Sequence, residues 1–253
     1  MPVLFVGHGS PMNAIEENEF SGAWHDAAAC MPKPRAILCI SAHWETEGTK
    51  ITAMPHPKTI HDFYGFPQEL DHIRYPAPGL PELAETVRTL AGKTSVEFDT
   101  SWGLDHGAWS VLRRMYPAAD VPVVQLSLDR KCPPRAHYEL ARELLPLRRQ
   151  EVLIMGSGNI VHNLRRMQWD DAGPFPWASE FDLLAAELIA AGEHDRLIDY
   201  PALGESARLA IPTSEHYLPL LYALALQQPD EQLLFVTEKV VYGSISMRSL
   251  RIG

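Results

Sequence analysis

The chain has 253 residues, 46% hydrophobic and 21% charged, the composition of an ordinary globular protein with a substantial core. Its formal net charge is −10, and its longest basic clusters are the pairs Arg113–Arg114, Arg148–Arg149 and Arg165–Arg166, which argues against nucleic acid or an anionic membrane as the main partner. No apolar run reaches the length of a bilayer span, and no basic stretch leads into a long apolar segment at the start, so neither a membrane span nor a signal peptide is expected.

In chain order, Val3–Val6 reads as a short apolar strand that ends in Gly-His-Gly-Ser-Pro. Residues 16–31 predict a helix closed by Pro32 and Pro34. Ala36–Ser41 is a second apolar strand, running into Ala42-His43-Trp44, and residues 50–54 form a third. Residues 55–79 are rich in Pro, His and aromatics and have no period; a loop of that length in a compact domain is usually functional. An amphipathic helix follows over 79–92, with Pro near its start and Gly at its end. Residues 95–99 are a short strand, and 102–117 a loop entering a helix that stops before Pro117. Then come a strand over 121–129, a helix over 133–148, and a strand Val152–Met155 ending in Gly-Ser-Gly-Asn. Helices are expected over 176–192, 195–199 and 214–226, and one or two strands over 233–253.

Unbroken apolar strands alternating with helices predict an α/β fold. We expect a single domain over residues 1–253, with a central mostly parallel or mixed sheet flanked by helices on both faces. Three cysteines without metal-type spacing, Cys30, Cys39 and Cys132, read as free thiols in a reducing compartment, so a cytoplasmic location is expected.

Such sheets bind ligands at the carboxyl ends of their strands. His8, His43, His106 and His162 lie at such ends or on adjoining segments. A lone histidine there is ordinarily a satisfied turn residue. Gly7 and Gly9 weaken that reading for His8, because they remove bulk around the imidazole. His43 follows the small residues Ser41 and Ala42 and points to the same rim. His162 follows a Gly-Ser-Gly turn, which lacks the spacing of a phosphate-binding loop. His216 sits where Thr213 or Ser214 can cap a helix; Glu215 then falls in the first turn, as a dipole partner or, like His216, as a metal ligand. Asp105 is placed to orient His106, with Trp102 and Trp109 walling a flat pocket. His61 and Asp62 add a polar pair in an aromatic loop suited to covering the site. His25, His56, His72, His137 and His194 are assigned to the surface. Imidazoles from several segments, with a carboxylate available and no suitable cysteine, suit an open catalytic site for Fe(II), Zn(II) or Mn(II).

The motifs LFVGHGSPMN, ISAHWET, TIHDFYGFP, WGLDHGAW, GSGNIVHNL and TSEHYLPLL occur here in an order that resembles the class III extradiol ring-cleavage dioxygenases, in the 4,5-DOPA extradiol branch. The resemblance runs from His8 to the C-terminal YGSISMRSL. It implies an α/β domain and a mononuclear non-haem metal, Fe(II) for activity with Zn(II) possible in the purified protein. By motif, His8 and His43 match metal ligands, His162 the acid–base histidine, and His106 a substrate-binding histidine. The third ligand in better-known members is a glutamate; here the matching stretch offers Glu215 and His216, and His216 is favoured. His162 closing a four-histidine set around zinc is a further arrangement. The implied reaction opens a catechol such as DOPA with O₂, with His162 moving protons and His106 hydrogen-bonding oxygen. Two other readings use the same histidines: a zinc hydrolase, and a non-catalytic binding protein of the Memo type. Arg35, Arg74 and Arg165 are candidate partners for a substrate carboxylate, and the oligomeric state is left open.

Overall fold

The computed structural model describes residues 1–169 and 173–253. Its strands are β1 (Val3–Gly7), β2 (Ala36–Thr46), β3 (Thr49–Thr52), β4 (Val96–Asp99), β5 (Val123–Asp129), β6 (Val152–Gly158), β7 (Leu233–Thr237), β8 (Val240–Val241), β9 (Ile245–Ser246) and β10 (Ser249–Ile252). The helices are α1 (Glu19–Ala29), α2 (Gln68–His72), α3 (Pro81–Leu90), α4 (His106–Met115), α5 (Pro134–Glu143), α6 (Pro176–Ala190), α7 (His194–Ile198), α8 (Glu205–Ala210) and α9 (Leu218–Ala225).

Eight strands form one sheet in the order β4-β3-β5-β2-β6-β1-β10-β7, while β8 and β9 pair separately. The middle, β5-β2-β6-β1, is parallel. The antiparallel joins β3–β5, β1–β10 and β10–β7 make the whole sheet mixed.

The central strands are mostly apolar on both faces because both faces are covered, with buried polar residues such as Ser41, Gln125, Ser127 and Ser157 set among them. Val3 and Phe5 of β1, Leu38 and Ile40 of β2, and Ile154 of β6 join one core, with α3 and α5 to α9. Leu4, Val6, Ile37, Cys39, Leu153 and Met155 point the other way, into a core with α1 and α4. Alternation is therefore present, but it divides apolar residues between two cores instead of separating core from water.

Several expected boundaries move. Strand β2 runs on through His43 to Thr46, with a register break between Ile40 and Glu45. The helix expected from residue 16 starts at Glu19, because Asn18 caps it in a capping box with Ser21. The last helix starts at Leu218, so Thr213 and Ser214 do not cap it and Glu215 lies outside its first turn. Instead, the Ser214 carbonyl accepts from the Tyr217 and Leu218 amides. Helix α2 lies inside the stretch 55–79 read as a loop, α8 lies where no element is expected, and the C-terminal stretch holds four strands, two of them two residues long. His137 is buried, not on the surface: Nδ1 lies 3.0 Å from the Tyr222 hydroxyl and Nε2 3.2 Å from the Asp129 carbonyl.

One buried ion pair fixes the edge beside the site. Arg248 Nη2 donates to Asp182 Oδ2 at 2.6 Å, and Ser246 Oγ donates to Asp182 Oδ1 at 2.5 Å, tying β9 and the link from β9 to β10 to α6. Asp182→Ala leaves the Arg248 guanidinium buried with its main partner gone. A loss of roughly 3–5 kcal/mol is expected, measured by urea unfolding of the two proteins.

Candidate functional site

Three elements of the sheet centre deliver the histidines. Strand β1 ends at Gly7, whose parallel partner on β6 is Gly158, and the His8 amide donates to the Gly158 carbonyl at 3.1 Å. The extension of β2 past its register break carries His43. The turn before α9 carries His216, whose carbonyl accepts from the Asn159 amide at 2.8 Å. A Cβ on Gly158 would sit 2.1 Å from that carbonyl oxygen, so the turn reaches the sheet only because the residue is glycine.

The glycines beside His8 serve a different purpose from the one expected. A Cβ on Gly7 would meet the Met247–Arg248 backbone at 2.8–2.9 Å, and one on Gly9 the Met247 sulfur at 2.4 Å. Both admit the returning C-terminal chain, and Gly9 also lines the cavity beside His8. Gly9 also has φ +58°, a left-handed conformation that turns the chain away directly after His8.

One ligand atom each from His8, His43 and His216 lie within 4.8 Å of one another. Their outer partners decide which nitrogen each presents. Ser157 Oγ donates to the Gly107 carbonyl at 2.6 Å, so at 3.0 Å it accepts from His8 Nδ1–H. His216 Nδ1 lies 3.1 Å from Glu215 Oε1, which is itself held by the Thr213 hydroxyl at 2.8 Å. His43 Nδ1 lies 3.4 Å from Asp62 Oδ2. Each Nδ1 thus faces an outer acceptor, which leaves Nε2 as the free ligand nitrogen, and the Nε2 atoms of His8 and His43 approach to 3.1 Å.

Burial, followed by the neighbouring imidazoles, holds His8 and His216 well below the ordinary histidine range. His43 is brought down to about 3 by the same causes, burial and then His106. All three are neutral at neutral pH, the form that binds metals. Neutral imidazoles with outer acceptors on Nδ1, and no thiolate among them, fit a divalent metal such as Fe(II) or Zn(II).

Asp62 is the residue that pattern reading undervalued. Its Oδ1 accepts from the His106 backbone amide at 2.9 Å, and its Oδ2 lies 3.1 Å from His106 Nδ1 as well as near His43. Burial alone would raise its pKa, but the His106 ring beside it, the His43 ring and the His106 amide hydrogen bond bring it down to about 2. The role expected of Asp105 therefore belongs to Asp62. The Asp105 carboxylate instead accepts from Ser41 Oγ at 2.6 Å, Gln125 Nε2 at 2.8 Å and the Ala108 amide at 3.1 Å, capping α4 and tying it to β2 and β5.

His106 is the first residue of α4, buried, with its ring 3.9 Å from that of His43. His162 stacks on His216, centroids 3.4 Å apart and planes 8° apart. Among the described residues it groups with Glu215 and His216, not with His8 and His43. Burial brings its pKa down to about 4.

These side chains open into a cavity of about 360 Å³ that also contains Asp62. Phe63, Tyr64 and Phe66 of the aromatic loop wall it on one side, and Trp169 and Tyr242 on another. Trp102 and Trp109 are not in that wall. Trp102 stacks on Trp44 at 5.5 Å, and Trp109 is buried with its indole donating to the Ile60 carbonyl at 2.7 Å. That bond anchors the loop carrying Asp62. Arg35, Arg74 and Arg165 do not line the cavity either; Arg74 bonds the Asp71 and Ile73 carbonyls.

Residues 2–252 match the family model described as the catalytic LigB subunit of aromatic ring-opening dioxygenase. The chain is 46% identical, over 258 aligned residues, to a protein of Escherichia coli K12 named 4,5-DOPA dioxygenase extradiol, covering all of this chain and 95% of that one. It is 39% identical to a Beta vulgaris protein of the same name, covering 87% and 85% of the two. The crystal structure of an uncharacterized Escherichia coli K12 protein superposes with a TM-score of 0.88 at 41% identity, over the full length of both chains.

Asp62→Asn keeps the shape and removes the charge that orients two imidazoles. Metal affinity is expected to fall about 10–100-fold, read by competition with a chromophoric chelator. Gly158→Ala is expected to displace the His216 turn and lower metal retention in the same assay, whereas Gly22→Ala, where a Cβ meets nothing within 4 Å, leaves it unchanged.

Proposed function

Because the chain belongs to the LigB family of aromatic ring-opening dioxygenases and is an extradiol ring-cleaving dioxygenase, we propose that its substrate is DOPA or a closely related catechol, that its working metal is Fe(II), and that residues 1–253 act as one catalytic domain. The metal is assigned to His8, His43 and His216. The observation that carries this is the convergence of their ligand atoms within 4.8 Å, each Nδ1 facing an outer acceptor.

Such a metal, when bound, supplies Lewis acidity and the redox chemistry that joins a catechol to O₂. Zn(II) suits the same imidazoles but has no redox chemistry, which is why Fe(II) is assigned to the active form. The protein's own part is positioning and proton movement. His162 is neutral at neutral pH and lines the cavity, so it accepts a proton from a catechol hydroxyl and later returns one. His106 Nδ1 lies 3.1 Å from Asp62 Oδ2 and the ring lines the cavity, so Nε2 is assigned to hydrogen-bond the substrate oxygen. Glu215 acts on His216 and is not itself a ligand in this assignment, giving a three-histidine set without a carboxylate. The aromatic walls suit a flat ring. Among the described residues no helix is long and apolar enough to cross a membrane, and a cytoplasmic location is part of this proposal.

Purified without oxygen and loaded with Fe(II), the protein is expected to consume O₂ and form a yellow product with DOPA, caffeate or protocatechuate. The Zn(II)-loaded form is expected to do neither. Absence of O₂ uptake with every catechol refutes the assignment. His162→Ala is expected to lose at least about 100-fold in turnover and keep its metal, measured by metal analysis beside the oxygen electrode. Metal loss would move His162 to the ligands.

A further inference from the structure

The catalytic cavity has a neighbour. A second cavity of about 230 Å³ shares Ser10, Trp169 and Tyr242 with it, so the two are separated by a wall only one side chain thick. Their chemistry differs. Among the described residues, no lysine or arginine lines the first cavity, and its carboxylate, Asp62, is engaged by His43 and His106. Among the described residues, the second is lined by Glu16 and Lys239, charges of opposite sign.

A catechol whose hydroxyls face the histidines directs its ring substituent away from them, towards the cavity mouth. Trp169, 75% exposed, and Tyr242 stand at that mouth and at the boundary of the second cavity. A carboxylate directly on the ring would stay in the first cavity, where no cationic side chain meets it. A substituent two or three bonds longer passes the aromatic pair.

We infer that the second cavity is the subsite for the substrate's charged tail, Lys239 taking a carboxylate and Glu16 an ammonium, so that the enzyme selects catechols bearing an α-amino-acid side chain. This rests on the ring-cleavage reading above. Lys239 Nζ also lies 2.7 Å from Glu19 Oε1, an exposed pair that a ligand carboxylate can share. The amides of Asn13 and Asn18 are committed elsewhere, to the His8 carbonyl and to Asn13 Oδ1, so the two charges carry the recognition.

The test compares DOPA with dopamine, which lacks the carboxylate, dihydrocaffeate, which lacks the ammonium, and protocatechuate, whose carboxylate is on the ring. Turnover is followed by O₂ uptake of the Fe(II)-loaded chain. Binding is followed by calorimetry under argon with the Zn(II)-loaded chain. Lys239→Gln is expected to weaken DOPA and dihydrocaffeate about fivefold, in kcat/KM and in Kd, and to leave dopamine and protocatechuate within about twofold. Glu16→Gln is expected to weaken DOPA and dopamine by the same factor and to spare dihydrocaffeate. Lys239→Arg restores the wild-type pattern. Equal losses on all four catechols, or no loss on any, overturn the subsite. Charge-selective binding without turnover of any catechol supports the subsite and refutes ring cleavage; turnover without charge selectivity does the reverse.

Discussion

The site depends on a backbone contact, not on a side chain. The carbonyl of His216 lies where the Cβ of residue 158 would be, and it accepts the Asn159 amide. That approach brings the turn before α9 against the end of β6. Since β6 lies between β2 and β1, it also brings His216 to the two histidines those strands carry. Gly156 repeats the device one pleat earlier, where a Cβ would lie 2.3 Å from the Pro219 carbonyl. The apolar packing of α9 on the sheet then holds the turn in place, because its residues 218–225 are all buried.

Around this frame, a shell of acceptors fixes the chemistry of the imidazoles. Ser157, Asp62 and Glu215 each face one Nδ1, so each ring has a defined tautomer and a single nitrogen left for a ligand. Burial keeps the rings neutral. Asp62, half-buried, remains ionised because the His106 amide donates to it and the His106 ring lies beside it. The pair supports itself: Asp62 orients His106, and the start of α4 at His106 gives Asp62 an amide to accept.

The candidate histidines were legible because glycine or another small residue stands beside most of them at strand ends, and such residues are rarely placed there without a close neighbour. The reason inferred from that signal was incomplete. Gly7 and Gly9 make room for Met247 and Arg248, which belong to the far end of the chain and leave no trace near His8 in the sequence. The same limit explains Asp62 and Asp105. Adjacency suggested that Asp105 serves His106, yet an N-cap carboxylate turns back to the helix amides, here to Ala108, and away from the first side chain of the helix. The orienting charge comes instead from an irregular loop whose course no period describes. Likewise the two tryptophans near His106 pack inward, and the aromatic wall comes from residues 63–66, 169 and 242.

The sequence by itself determined the α/β class, the apolar central strands, and the histidines at their ends, because burial on both faces and a motif order spanning the chain are written in residue type and position. Tertiary structure alone decided which carboxylate orients which imidazole, which nitrogen each ring presents, and which aromatics wall the cavity. Those depend on side-chain direction and on contacts between segments more than 40 residues apart, such as Asp62 with His106, and nothing local in the chain encodes them.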